Sequence, residues 1–405
     1  MIAVKTTSCA HACAACARQG AGACARRALA PLKCLQIGSG WFPEQPGGLE
    51  RYFFDLVHHL PSAAVTPVGL VTGSELVEYE SCGVVRSVAL PDAKLWSRLG
   101  AMKRSAVERA REGIDLVASH FALYSWSAGR ALRDCPWVVH FHGPWADEGL
   151  ASGGSRAAGY VKHMLEKHAY RRGDRFITLS NAFADLLVSR FGVDREKVTV
   201  VPGGVDGDRF DIATPRNKAR EMLSWPRSRP IVLSVRRLVP RMGLENLIET
   251  AADPALLDVQ FMIAGKGPLL PELRRRVAAR GLEQRVRLLG YVPDDRLPLM
   301  YRAADLSILP SLSLEGFGLT AVESLMAGTP TLVTPIGGLP EVVRGLSPDL
   351  VTEDTTPTAL AAAIHRWRTG PALPTAAHCR NYARENFDWP VIARKVRDVY
   401  AQAMN

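Results

Sequence analysis

Short apolar runs recur along the chain, each separated from the next by a stretch with helical spacing. The first series is Cys34–Gly38, Val65–Val71, Val84–Val88, Ile114–Ala118, Trp137–Phe141, Phe176–Leu179 and Val198–Val201. The second is Ile231–Val235, Val259–Ala264, Val286–Leu289, Leu306–Leu309 and Thr331–Thr334. Several runs are continuous rather than alternating, the signature of strands covered on both faces by helices. Helices are predicted between them, for instance over Leu49–Leu60 and Gly243–Ala252. Strand–helix alternation throughout predicts an α/β protein with parallel sheets, and two series predict two doubly wound, Rossmann-like domains facing a central cleft. The pattern breaks over Gly203–Ser228, where Gly-Gly, Thr-Pro and Ser-Arg-Pro intervene. This divides the chain into an N-terminal domain over 34–208, a C-terminal domain over 209–385, and a final helix over 386–405 expected to pack back on the first domain.

Composition narrows the picture little. At 405 residues, two domains are the natural expectation. No run of about 18 apolar residues is present, so no membrane-spanning helix is predicted. Of the net charge of +10, residues 1–33 supply +5 through Lys5, Arg18, Arg26, Arg27 and Lys33 with no acid. The remaining modest basic bias suits an anionic substrate or an anionic membrane surface and does not require nucleic acid. Cys9, His11, Cys13 and Cys16 resemble a metal set by spacing, but the surrounding Ala, Gly and Arg offer little to pack around an ion. Residues 1–33 are therefore read as a disordered or mis-started extension. Cys82, Cys135 and Cys379 are scattered, as expected of reduced thiols in a cytoplasmic protein.

Chemistry concentrates at Glu315-Gly-Phe-Gly-Leu-Thr-Ala-Val-Glu323, between the run ending at Pro310 and an amphipathic stretch ending at Gly328. This is a strand, a glycine loop and a helix. Backbone N–H groups at such a helix start are free to receive an anion. Glu315 in the loop and Glu323 in the helix are expected to border one pocket and to accept hydrogen bonds from hydroxyls. A ligand with hydroxyls at each end and phosphates between them is a nucleotide sugar.

The stretch Pro310–Pro330, followed by Gly337-Gly-Leu-Pro-Glu341, resembles the donor-site signature of retaining glycosyltransferases, specifically glycosyltransferase family 4 with the two-domain GT-B fold. The resemblance spans about 34–404. It implies that Glu315 binds donor-sugar hydroxyls near the reacting carbon, that Glu323 binds the ribose, and that the amides of Gly316, Phe317, Gly318 and Leu319 face the phosphates. In the family, the loop matching Ser234–Gly243 carries an arginine and a lysine that clamp the diphosphate. Arg237 matches the arginine, but Met242 stands at the lysine position. Arg241 is the expected replacement, with Arg236 also near. These cations, and the lack of an Asp-x-Asp at a strand end, imply catalysis without a metal or cofactor. Gly47-Gly48 before a helix resembles the family's phosphate-approaching glycine loop. His142, in His140-Phe-His-Gly143, fits the family histidine that bonds the donor sugar and stabilises positive charge. His140 and His142 lie on one strand face and could hold a metal, but sequence fixes no third ligand beside them. His120 ends an earlier strand.

Weaker matches are Ser180-Asn181, a helix cap as much as an acceptor contact, and Val201–Asp206, which resembles the family's interdomain hinge with Gly203 where asparagine is usual. Over 156–175, Val161, Met164, Leu165 and His168 share one face of a basic helix. That stripe is expected to pack on its own domain, with docking on an anionic inner membrane face as the alternative. The resemblance as a whole implies transfer of a sugar from a UDP- or GDP-sugar to a glycan, lipid-linked or small-molecule hydroxyl, as in cell-surface polysaccharide synthesis. The alternatives are a sugar-nucleotide epimerase of the same fold, and a non-catalytic homologue that Met242 would explain.

Overall fold

The computed structural model describes residues 31–129, 131–151, 155–370 and 374–405. The cysteine-rich segment and nearly all of the 1–33 extension lie outside the described residues. Two fully parallel sheets are formed. The first joins β1 (Leu32–Gly40), β2 (Val65–Thr72), β3 (Val85–Ser87), β4 (Leu116–Ser119), β5 (Trp137–Phe141), β6 (Arg175–Thr178) and β7 (Val198–Val200) in the order β3-β2-β1-β4-β5-β6-β7. The second joins β8 (Ile231–Val235), β9 (Gln260–Ala264), β10 (Val286–Gly290), β11 (Leu306–Leu309) and β12 (Thr331–Val333) in the order β10-β9-β8-β11-β12.

Each predicted apolar run became a strand, three with the predicted bounds and the others with shifted ends. β1 is longer than its apolar run because pairing continues from Leu32 opposite Val65 to Gly40 opposite Thr72. β4 starts later, at Leu116, since the Asp115 carboxylate accepts from the Lys33 amide at 2.7 Å and occupies the sheet's entry. Leu60 leaves its predicted helix, which runs Gly48–His59, and opens a 3-10 turn in which Pro61 follows at once.

The continuous runs have a direct packing cause. In the first sheet Leu35, Ile37, Val117 and Val139 face one core with Met102 and Tyr124. Their neighbours Cys34, Leu116, Ala118 and Val138 face another, with Trp389, Ile392, Val396 and Tyr400. The helix Trp389–Ala403 thus forms part of the second covering layer of the N-terminal sheet. Each large side chain buried there contributes about 1.5–3 kcal/mol. The chain crosses between the sheets at two neighbouring places: Val205 donates its amide to Phe387 O at 2.9 Å and bridges Asp388. Gly204 lies beneath Trp389, where a Cβ would come within 2.4 Å of the indole.

Side chains also tie the two halves. Arg51, in the helix Gly48–His59, donates to Asp294 at 2.6 Å. Glu341 accepts from the Asn181 amide at 2.8 Å, its side-chain nitrogen at 2.9 Å and the Ala182 amide at 3.0 Å. Ser180 caps the same helix, Asn181–Phe191, through Phe183 N. The helix Arg156–Tyr170 departs from expectation. Its buried residues are Gly159, Glu166, Ala169 and Tyr170, whereas Tyr160, Val161 and Met164 are exposed at 67%, 58% and 48%. The buried carboxylate of Glu166 holds the turn at Trp145 and Ala146, accepting their amides at 2.8 and 3.2 Å, and so fixes which face turns inward.

Candidate active site

In open α/β sheets a ligand settles beyond the carboxyl ends of the strands, where the strand order reverses. The reversals here lie between β1 and β4 and between β8 and β11. The segments leaving those strands border one cavity of about 700 Å³. From the first domain come Gly47, Gly48, Glu50, Tyr52, His120, His140, His142 and Glu148. From the second come Arg236, Arg237, Arg241, Met242 and the run Leu314–Thr320.

The loop Leu314–Leu319, the expected donor loop, is charged and tightly held. Glu315 accepts from Ser311 Oγ at 3.1 Å and pairs with Arg236. Burial alone would raise its pKa, yet the Arg236 guanidinium overrides it and, with Arg241, holds the carboxyl below the usual carboxylate range. Gly318 precedes the helix Leu319–Met326 at φ 86, where a Cβ would lie 2.5 Å from Leu339. No side chain caps that helix, so its first amides are open to an anion. Phe317 packs edge-on against Phe387 at 5.7 Å and supports the loop from behind.

Glu323 is placed differently from the expectation of a shared pocket. It is outside the cavity lining and only 8% exposed, and it accepts from Tyr301 Oη at 2.9 Å. Burial raises its pKa, partly offset by Arg51. Arg237 stands exposed on the cavity wall, and its guanidinium makes no hydrogen bond or ion pair among the described residues. Arg241 donates to Leu314 O at 2.7 Å and stands 3.9 Å from Glu148, so it props the donor loop. Its expected role as the substitute cation competes with Arg236, which lies against Met242 itself.

The facing wall is built of rings. His120 Nδ1 lies 3.1 Å from His142 Nε2, and His120 Nε2 lies 2.8 Å from Gln36 Oε1. His140 Nε2 is 2.9 Å from Tyr400 Oη. The His120 and His140 rings stack at 4.2 Å, and His120 and His142 at 5.4 Å. Burial drives all three pKa values down, that of His142 to about 3, and the neighbouring rings add to the effect on His120 and His140. Sequence placed no third histidine beside His140 and His142; parallel strands β4 and β5 bring His120 there. Ligand atoms of the three lie within 4.8 Å of one another. The rings lie in nearly parallel planes, 13–24° apart, and His120 Nδ1 and His142 Nε2 already face each other as a hydrogen-bonded pair.

Gly47 opens the helix Gly48–His59 in extended backbone without a side-chain cap, and a Cβ at Gly48 would meet nothing within 4 Å. Gly48 therefore leaves open space at the cavity, whereas a Cβ at Gly47 would come 2.1 Å from Glu50 Oε2. Gly203 has a different reason. A Cβ there would come 2.8 Å from Leu319 and 2.9 Å from Phe317, so the hinge presses on the donor loop. Glu148, unremarked in the sequence, adds a carboxyl to the cavity, its pKa raised by burial against the pull of Arg241.

Known proteins share this arrangement. Residues 46–209 match the family described as Glycosyltransferase Family 4, and residues 215–386 match Glycosyl transferases group 1. A D-inositol 3-phosphate glycosyltransferase of Salinispora tropica is 32% identical over 331 residues, covering 75% of this chain and 67% of its own. A 2-deoxystreptamine glucosyltransferase of Streptomyces kanamyceticus is 30% identical over 330 residues, covering 73% and 82%. Among solved structures, sucrose-phosphate synthase from Thermosynechococcus elongatus superposes with TM-score 0.74 at 23% identity, covering 92% of this chain and 98% of that one. Anabaena HepE in complex with UDP and glucose does so with TM-score 0.74 at 21% identity, covering 92% and 100%.

Two parallel-sheet domains closing on one cavity, with an uncapped helix on the donor side, define a GT-B glycosyltransferase, an enzyme that draws on sugar-nucleotide donors. The chain belongs to glycosyltransferase family 4.

Proposed function

We propose that the protein is a retaining glycosyltransferase that moves a sugar from a UDP- or GDP-linked donor to a hydroxyl of a glycan, lipid-linked or small polyol acceptor. The observation that carries this reading is the opposition of Glu315 and Arg237 to His142 and Gly48 across one cavity. Arg237 and the open amides before Thr320 suit the diphosphate, Glu315 suits the donor-sugar hydroxyls, and Glu323 suits the ribose after Tyr301 yields. Arg241 keeps the loop in place from the border of the cavity. His142, held neutral, hydrogen-bonds the sugar without repelling positive charge at the reacting carbon. Stabilising the departing diphosphate is the dominant electrostatic contribution. Two relatives bear names with cyclitol acceptors, inositol 3-phosphate and 2-deoxystreptamine, which favours a polyol hydroxyl as acceptor here.

Exposed Tyr160, Val161 and Met164, beside Arg156 and Lys167, support peripheral contact with an anionic membrane. No helix among the described residues is long and apolar enough to cross one.

A screen of UDP- and GDP-sugars for thermal stabilisation and slow hydrolysis, followed by product analysis with cyclitol and glycan acceptors, tests the reading. One nucleotide sugar should stabilise the protein and yield a glycoside of unchanged anomeric configuration. An epimerised sugar nucleotide formed without acceptor would sink it in favour of the epimerase.

A further inference from the structure

Arg236 is a buried cation whose bonding is incomplete. The residue is 8% exposed and its side chain 5%. Nη2 donates to Ser311 Oγ at 2.6 Å, lies 2.7 Å from Met242 Sδ, and pairs with Glu315. Among the described residues Nη1 reaches only Thr320 Oγ1, at a long 3.5 Å. Nε is buried and has no partner among the described residues. A buried guanidinium left with spare donors is costly unless something else satisfies them.

The spare donors have an evident place to point. Arg236 lines the cavity, and Thr320 is in the first turn of the uncapped helix Leu319–Met326. An anion at that helix start would meet Nη1 and the open amides together. Arg237, the next residue, brings a second guanidinium to the same wall. Met242 is 5% exposed and has its sulfur against Nη2, so the space that a long cation at 242 would use is already filled by Arg236.

We infer that Arg236 is the diphosphate-binding cation of this enzyme, replacing the missing charge at Met242, and that its pair with Glu315 is exchanged when donor binds. The inference rests on the reading that the donor is a nucleotide sugar. Donor phosphate oxygens take over the Arg236 donors, and the released Glu315 carboxylate accepts from a sugar hydroxyl. As the anomeric carbon–oxygen bond breaks, its electron pair stays on the β-phosphate oxygen, which Arg236 and Arg237 stabilise. The acceptor oxygen forms the new bond to that carbon, and its proton passes to the departing phosphate. A guanidinium serves this exchange well because carboxylate and phosphate fit the same planar fork. Before donor arrives, the pair keeps Glu315 from attracting a stray cation.

The test uses the full chain, with UDP and GDP each compared with its monophosphate by calorimetry, and with turnover of the nucleotide sugar that the wild type accepts. Arg236→Gln should weaken the diphosphate about 10- to 100-fold, as expected for loss of a charge-assisted contact, and leave the monophosphate within about threefold. It should lower kcat about 10²- to 10³-fold. Arg236→Gln with Met242→Lys should restore most of the diphosphate affinity and much of kcat, because the new ammonium starts where Nη2 now lies. Equal weakening of both nucleotides by Arg236→Gln, or failure of the double variant to recover, overturns the inference in favour of a structural pair. Should Arg236→Gln not fold, the double variant decides by the same diphosphate-to-monophosphate ratio. Wild-type protein that binds neither diphosphate and turns over no nucleotide sugar overturns the transferase reading itself, a result distinct from any variant-specific loss.

Discussion

The two walls of the cavity solve opposite electrostatic problems. The wall of the second domain concentrates charge, with Arg236, Arg237, Arg241 and Glu315 on two adjacent loops. That of the first domain presents three imidazoles held neutral chiefly by burial, together with the carboxyls of Glu50 and Glu148. Charge is tolerated on one side because Arg236 and Glu315 offset each other there, and Arg241 faces Glu148 of the opposite wall. On the proposed function neutral rings suit the donor sugar, since a fixed positive charge would oppose an electron-poor anomeric carbon.

The largest expected effect comes from breaking the charged wall. Glu315→Ala should reduce transfer by about 10²- to 10³-fold or more. It should also destabilise the fold by about 3–5 kcal/mol, because Arg236 is left buried and uncompensated. Steady-state kinetics and denaturant unfolding measure the two effects, and a variant as stable as wild type would show that Arg236 finds other partners.

The neutral wall is sharpened by pH. The folded pKa of His142, about 3, lies below the 6.5 of a free imidazole, so the unfolded chain takes up a proton that the folded chain refuses. The stability from this group is complete above pH 6.5 and is lost as the pH falls toward 3. His142→Asn should therefore show a smaller drop in Tm between pH 7.5 and 4.5 than wild type. An identical drop would place the acid sensitivity elsewhere.

The seam between the walls is tested by Gly203→Asn, which installs the family's usual hinge residue. Its Cβ collides with Phe317 and Leu319, so a loss of about 1–3 kcal/mol from overpacking is expected. The smallest effect is Glu341→Ala. It removes a carboxylate from an exposed helix start, and should cost about 0.3–1 kcal/mol in thermal unfolding.

What sequence revealed, and what it did not, follows from the distance over which each feature is encoded. Apolar runs such as Trp137–Phe141 and Leu306–Leu309 announced strands because a doubly covered strand is apolar at every position. The donor loop was legible because Glu315, Gly318 and the helix after them are consecutive. The role of Arg236 was not, since it depends on a partner 79 positions away and on whether Met242 or Arg241 fills the space between them. His120 likewise joins His140 and His142 only through the pairing of β4 with β5. Of the stripe expected to pack inward, Leu165 reaches the core while Val161 and Met164 are exposed, because apolar spacing alone does not say which edge of a helix its neighbours take.

The last helix has a consequence for how this chain is made. Tyr400 is hydrogen-bonded to His140 and receives a bond from Gln36 at 3.0 Å, so the histidine wall of the first domain is completed by a residue near the end of the chain. Domains generally fold as they emerge during synthesis, the N-terminal one first. Here the first domain leaves the ribosome with part of one covering layer missing, and Cys34, Leu116 and Val138 share only Tyr52, Leu56 and Leu60 as cover until Trp389–Ala403 arrives. Its sheet must wait through the synthesis of the whole second domain, and a message truncated before Trp389 would leave behind a half-clad sheet for the cell's chaperones.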